Sequence, residues 1–502
     1  MMRRLGRENI PSGVLIGAGA PEDAGIVHLG LGNFHRAHAA VYTALALAHQ
    51  EGPWGIHGFA NRSRAVVDAM RAQDGMYSVL ELSEHGRKAG VVDVHRGLDV
   101  LSQNPEAFIA SVAHPGARIL TLTVSEVGYC RSSRTGTLDV DLPDVAHDVA
   151  DPHHPRSTVG LIARGLAVRA AQGEPFTVLS CDNLSSNGAA TRTVLTEFLG
   201  RSGASDDVLS YVREKVSFPN SMVDRIVPAT VPSTIADVRD LLGLVDDAPV
   251  PAEEFSMWVL EDDFAAGRPS WEQAGAILSD EVEAYELVKL RLLNGSHSLI
   301  AYLGALCGEE TIAGAWGRGF IREAVDVAVH ADYLPSIGLP RGFDVAGYLA
   351  RLSHRWSNAP LGHKTQQVGT DGSVKLLQRV PEPALLALAE GRVPHLLALT
   401  IAAWICCVAP PAGFAPGPFA DAMREPARER LAEITEGKTS PRENARAILA
   451  GGFFPDELVR FPEFTTRIEE LVDTIVRHGA PAAASDAVAA SMPTPQTTEA
   501  KP

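Results

Sequence analysis

The sequence predicts an α/β chain, in which a Rossmann-type, doubly wound N-terminal domain is followed by a mainly α-helical C-terminal domain. Two observations carry this. Up to about residue 280, short apolar and β-branched runs alternate with helical periods, the pattern of parallel strands joined by crossover helices. The first of those runs ends directly in Gly30-Leu31-Gly32, the glycine pair that opens a dinucleotide-binding turn.

The first strand is expected over Gly25 to Leu29 (GIVHL), with a helix over His38 to His49 after the turn. Trp54 to Phe59, Arg118 to Val124 (RILTLTV) and Phe176 to Ser180 (FTVLS) read as the next strands. Beyond residue 280 strand signals nearly vanish, and helical periods cover Glu283 to Leu306, Gly319 to His330, Pro383 to Glu390 and Phe464 to His478. The expected division is a dinucleotide-binding domain over 1–280, a helical substrate and catalytic domain over 281–480, and a tail over 481–502. That tail is rich in Ala, Pro, Ser and Thr, buries too little apolar area to offset chain entropy, and is expected to be disordered.

Composition excludes several functions. The chain has 502 residues and a net charge of −17, from 44 Lys and Arg against 61 Asp and Glu. Nucleic-acid binding draws on clustered cations, so it is not expected. The longest apolar stretch, Leu396 to Ala409, is about 14 residues where a membrane span needs about 20, which makes it a buried helix. Five cysteines without CxxC spacing give neither a disulfide framework nor a zinc site, and fit a reducing cytoplasm. Arg3 and Arg4 are followed by Pro11 and glycines instead of an apolar run, so no signal peptide is read.

In the turn, Gly30 and Gly32 let backbone N–H groups approach a pyrophosphate at the start of the following helix. Asn33, Phe34, His35 and Arg36 follow, with His35 where a third glycine is usual. At the end of the second strand such folds commonly carry a carboxylate for the adenosine ribose, but this chain reads Ala60-Asn61-Arg62-Ser63-Arg64. Arg62 or Arg64 would suit a 2′-phosphate, or simply face solvent. NAD is the expected cofactor and NADP the alternative.

The segment Tyr285 to Leu303 (YELVKLRLLNGSHSLIAYL) carries Lys289, Asn294 and His297 in an apolar run. On an α-helix of about 100° per residue, Asn294 lies about 140° and His297 about 80° from Lys289, so the three can share a cleft. A lysine among leucines is desolvated, which favours the neutral amine that can take a hydroxyl proton, and an asparagine amide can stabilise the developing oxyanion. The plainer reading is a solvated stripe, a helix interruption at Asn294-Gly295 and a core histidine.

These residues stand within eight ordered blocks: GLGNFHRAH from Gly30, TVSEVGY from Thr123, SCDN from Ser180, FPNSMVDRIVP from Phe218, EDDFAAGRPSWE from Glu261, KLRLLNGSHS from Lys289, RWSNAPLGHKT from Arg355 and DGSVKL from Asp371. With them the chain resembles the mannitol dehydrogenase family of polyol-specific long-chain dehydrogenases. The resemblance implies a zinc-independent enzyme in which Lys289 is the general base, Asn183 and Asn294 stabilise the oxyanion, His297 orients substrate and lysine, and Glu126 helps relay the proton. It places Asp224 and Arg225 near the nicotinamide, and implies a monomer or small homo-oligomer.

Arg355, Asn358, His363 and Lys364 form a dense donor set in the helical domain. Arginine binds a carboxylate through two parallel bonds, although polyol hydroxyls accept the same donors. The wording of the late blocks resembles the fructuronate reductase branch, implying D-mannonate and D-fructuronate as the substrate pair. Mannitol 2-dehydrogenase, another polyol dehydrogenase and a non-catalytic dinucleotide sensor are the alternatives. Trp356, Val374 and Leu377 depart from that branch's usual pattern.

Overall fold

The computed structural model describes residues 2–132 and 135–492. The chain divides into two compact units between Tyr285 and Glu286.

Among the described residues the first unit contains twelve strands: β1 (Ile26–Leu29), β2 (Ile56–Ala60), β3 (Tyr77–Ser83), β4 (Gly86–Val92), β5 (His95–Val100), β6 (Ile119–Leu122), β7 (Phe176–Ser180), β8 (Val216–Ser217), β9 (Ser221–Asp224), β10 (Val250–Glu253), β11 (Met257–Leu260) and β12 (Ile277–Leu278). Six form a parallel sheet in the order β5-β2-β1-β6-β7-β8. The chain therefore runs outward from β1 in both directions, and the order reverses between β1 and β6, where such sheets bind ligands beyond the carboxyl ends of their strands. Period-two alternation along β1 serves both faces. Ile26 packs with Ala40, Ala44 and Ile56, while Val27 and Leu29 pack with Phe108, Val112 and Leu166 on the opposite side.

The helix after the turn is broken rather than continuous. Asn33–Ala37 and Ala39–Leu47 are separated by His38 at φ −125°, ψ −93°. Two three-stranded sheets, β10-β3-β4 and β12-β11-β9, complete the unit.

The second unit is helical. His395–Val408 is apolar on every face, and all its residues after His395 are buried, as expected of a central helix. Ser296–Leu306, Pro462–His478 and Ala480–Ser491 pack around it. Among the described residues no helix is long and apolar enough to cross a membrane.

The last of these helices corrects the expectation of a disordered tail from residue 481. Pro481 sits in its first turn, and Ala480, Ala483, Ala484, Ala487 and Val488 are buried at helical spacing. Alanine has the best helix propensity and the least side-chain entropy to lose, so a stripe of small residues can dock where composition alone suggests disorder. Residues 493–502 lie outside the described residues.

Candidate active site

In the first unit three loops meet at the carboxyl ends of adjacent strands β1, β6 and β7. After β1, Gly30 adopts φ +107°, and a Cβ there would stand 2.0 Å from the Thr123 carbonyl oxygen. Only glycine fits. Gly32 is exposed, a Cβ on it would meet nothing closer than the Gly30 oxygen at 3.7 Å, and its N–H donates to the Gly30 carbonyl. The turn is braced from below. The Thr123 hydroxyl donates to the Gly30 carbonyl at 2.7 Å, and His28 Nε2 lies 3.3 Å from the same hydroxyl oxygen. With its hydrogen spent on Gly30, Thr123 can only accept from His28.

His35 and Arg36 correct the sequence reading, since their side chains point into the protein. The His35 ring stacks on His28 with centroids 3.3 Å apart, and its Nε2 meets His95 Nε2 at 3.2 Å. Flat rings thus provide the close helix-to-strand packing that a third glycine commonly supplies. Arg36 is buried and donates to the carbonyls of Ala248 (2.6 Å) and Gly32 (3.3 Å) and to Asn33 Oδ1 (2.7 Å). Asn33 Nδ2 donates in turn to the Pro228 carbonyl at 3.2 Å, so this side chain ties the turn to the 228–230 loop. Phe34 is half-buried against His38. Arg62 is exposed just beyond β2, and Arg64 pairs with Asp68 at 2.9 Å.

Asn183 follows β7 and Glu126 follows β6, both exposed. Asp182, given no functional role in the sequence reading although it stands in the quoted SCDN block, ties their loops together by accepting from Val124 N (2.8 Å), Ser125 N (3.2 Å) and the Tyr129 hydroxyl (2.9 Å). Burial raises its carboxyl pKa against those bonds. Asn187, also missed, donates to the carbonyls of Asp182 and Ser221 and accepts from Ser221 N, locking the end of β7 to the start of β9. Asp224 is buried at the end of β9. Arg225 pairs with Glu81 at 2.9 Å and bonds the Ala37 and Glu253 carbonyls, which makes it a clamp within this unit.

In the second unit, Lys289–Gly295 is not α-helical. It is a π turn that runs into the α-helix Ser296–Leu306. A π turn closes its hydrogen bonds over five residues instead of four, so Asn294, five residues after Lys289, rises nearly one turn above it. The separation of about 140° expected for an α-helix is corrected in the direction that draws the two side chains to one face. Lys289 and Asn294 are half-buried, and His297 is buried one turn further on.

His297 is surrounded by donors and cations. Its ring lies 5.5 Å from His363 and 6.0 Å from Trp356, and its buried Nε2 has no hydrogen-bond partner. Burial, then repulsion from neighbouring His363 when that ring is protonated and from Arg355, Arg379 and Lys375, hold its pKa well below the ordinary value. Burial together with Arg355 and Lys375 lowers His363 to about 4. Both imidazoles are thus neutral in the physiological range. Arg355 and Asn358 are buried at the end of the helix Val345–Ser357. Lys364, expected with them, instead turns to Glu310 at 3.0 Å and is half-exposed. Lys375 and Arg379, both on the helix Gly372–Arg379, take the place it was given. The quoted DGSVKL block contains Lys375, which was the available signal.

A parallel sheet with a glycine turn at its reversal point, followed by a helical unit carrying a lysine, an asparagine and a histidine on successive turns of one continuous helical segment, defines the class as a dinucleotide-dependent oxidoreductase. The profile of the mannitol dehydrogenase Rossmann domain matches residues 24–273, and that of the mannitol dehydrogenase C-terminal domain matches residues 281–475. The chain belongs to the mannitol dehydrogenase family. It is 38% identical to D-mannonate oxidoreductase of Escherichia coli over 386 residues, covering 76% of this chain and 79% of that one. It is 34% identical to mannitol 2-dehydrogenase of Aspergillus terreus, covering 92% of each. The mannitol 2-dehydrogenase of Pseudomonas fluorescens, solved as a ternary complex with NAD and D-mannitol, superposes with a TM-score of 0.84 at 30% identity, over 96% of this chain and 99% of that one.

Proposed function

We propose that this oxidoreductase uses NAD to interconvert a secondary alcohol and a ketone on an open-chain sugar acid, with D-mannonate and D-fructuronate as the substrate pair. The observation that carries the sugar-acid reading is the charge around His297, where Arg355, Lys375 and Arg379 are the strongest fixed charges acting on the ring and all are positive. A carboxylate gains from such a set through charge-assisted bonds, whereas a hydroxyl gains only neutral ones.

The glycine turn at the carboxyl end of β1, with exposed Gly32 at the start of the following helix, suits a dinucleotide pyrophosphate, and the bound nicotinamide supplies the hydride acceptor for oxidation and the donor for reduction. The chain's own residues handle the proton. In oxidation the neutral Lys289 amine takes the proton of the substrate hydroxyl, and Asn294 and Asn183 donate N–H groups to the oxygen as negative charge develops there. In reduction the Lys289 ammonium returns that proton to the new alkoxide. Neutral His297 orients the substrate without competing for the proton, and Glu126, on its exposed loop, exchanges protons with solvent. Arg62, exposed where a ribose carboxylate is common, favours NADP as the second cofactor to try.

The test follows absorbance at the reduced-nicotinamide band with fructuronate, fructose, mannonate and mannitol, each with NAD(H) and NADP(H). The sugar-acid reading expects kcat/KM for the acid pair to exceed that for fructose and mannitol by at least an order of magnitude, and a reversed preference overturns it. Lys289→Ala should lower kcat by about 10²–10⁴-fold and recover with added primary amines. Near-normal turnover would remove the base from the mechanism.

A further inference from the structure

We propose that Arg379 is a positioning residue for the reaction, holding the π turn Lys289–Gly295 in the register that places Lys289 and Asn294 on one face. The inference rests on the roles proposed above for those two side chains.

A π turn is uncommon and persists in a helix only where something stabilises it. Here each side of the turn is fixed. At its carboxyl end the Asn294 carbonyl accepts from Arg379 Nη1 at 3.0 Å and from the Ser298 hydroxyl at 3.3 Å, and the same Nη1 donates to Ser298 Oγ at 2.8 Å. The guanidinium therefore holds both the next-to-last carbonyl of the wide turn and the side chain four residues on. Another side is held by Arg291, which pairs with Glu382 at 2.8 Å and bonds Ser336 Oγ at 2.9 Å. A third is held by Tyr333, from a second π turn, Ala328–Tyr333. A Cβ on Gly295 would stand 2.5 Å from its phenol oxygen, so the ring packs directly on the backbone.

Arg379 differs from Arg291 in its electrostatics. Among the described residues no salt bridge joins it to a carboxylate, and its Nε is buried without a partner. A cation in such a place finds its acceptors in the turn itself. If the turn relaxed to α geometry, Lys289 and Asn294 would separate to about 140° around the helix axis. A base and an oxyanion donor splayed in that way can still border one cleft, but they are worse placed to converge on one hydroxyl oxygen than on the single face the π turn gives them.

The experiment is a double-mutant cycle on the full-length protein with the better sugar substrate, using Arg379→Met, Lys289→Ala and both together. Binding of NADH is followed by fluorescence and folding by thermal melting. We expect R379M to lower kcat on the order of 100-fold, the size of effect that misplacement by about 1 Å produces, with the NADH dissociation constant unchanged. On a Lys289→Ala background the same change should cost much less, about 10-fold or below, because positioning of the base is already lost and only the share carried by Asn294 remains. Losses that multiply in the double variant, or an R379M enzyme with near-normal kcat, overturn the proposal while leaving the base in place. Near-normal activity of Lys289→Ala sinks the underlying mechanism instead. If R379M does not fold, Arg379→Lys is read by the same cycle, and failure of both to fold assigns Arg379 to stability and also overturns the proposal.

Discussion

Acidification should unfold the nucleotide-binding unit well before the helical one, and the histidines of the first unit set the scale. His28 is fully buried, and burial lowers its pKa from 6.5 to about 3. Between those values the unfolded chain binds a proton that the folded chain refuses, so stability falls as pH falls. From pH 7 to pH 5 the loss for such a group is about 2 kcal/mol. His35 and His95 are also held well below the ordinary value, first by burial and then by the charge of neighbouring His28. Their Nε2 atoms meet at 3.2 Å, a contact that one shared hydrogen satisfies and a second proton would force apart. Each of the two therefore adds a loss of the same sign to that of His28 as pH falls.

The second unit balances its account. His297 and His363 contribute losses of the same sign, but Asp332, raised by burial from 3.8 to about 7, opposes them. A buried acid that takes up its proton in the folded state first gains stability as pH falls, here by about 2 kcal/mol over the same interval. Urea unfolding at pH 7, 6 and 5, with hydrogen exchange comparing peptides from the two units, should show early loss of protection in the first unit. His28→Asn should flatten the pH dependence by about 2 kcal/mol. An unchanged slope in that variant, or opening of the helical unit first, would refute the reasoning.

Two further outcomes follow from the turn and its neighbours. Gly30→Ala introduces a Cβ 2.0 Å from the Thr123 carbonyl at a positive φ, a strain of about 1–3 kcal/mol, so NADH should bind roughly 10–100-fold more weakly by fluorescence titration. Asp182→Asn loses the charged acceptor for Val124, Ser125 and Tyr129, worth about 1.5–3 kcal/mol. It should lower both the melting temperature and kcat while the enzyme still binds NADH, as seen in paired melting and kinetic measurements.

What could be read from the sequence was whatever depends on local pattern. The strand Phe176–Ser180 stands where it was expected, because a fully buried parallel strand reads as an unbroken apolar run. β4 was missed because it opens on exposed Gly86, Arg87 and Lys88 before its apolar half, which hides the alternation. The side chains of His35 and Arg36 were misread because polarity in a sequence suggests contact with solvent or ligand. The fold instead uses one as a packing plate and the other to satisfy interior carbonyls. The angular relation of Lys289 to Asn294 could not be read at all, since helical arithmetic presumes 3.6 residues per turn and the wide turn depends on partners such as Arg379 and Tyr333 from distant sequence.

The net charge of −17 and a sugar-acid substrate are compatible because the two act over different distances. At physiological ionic strength exposed charges are screened beyond about 8 Å, so the acidic surface contributes little at a buried locus. There the local cations decide. After burial, Arg355, Lys375 and Arg379 lower His297, and Arg355 and Lys375 lower His363, which favours the neutral form of both rings. The same cations that would attract a carboxylate thus remove two competing proton carriers from the neighbourhood of the base. A carboxylate entering this site would gain charge-assisted bonds where a polyol hydroxyl gains only neutral ones, and that difference, more than the shape of the sugar chain, is what should separate the acid from the alcohol.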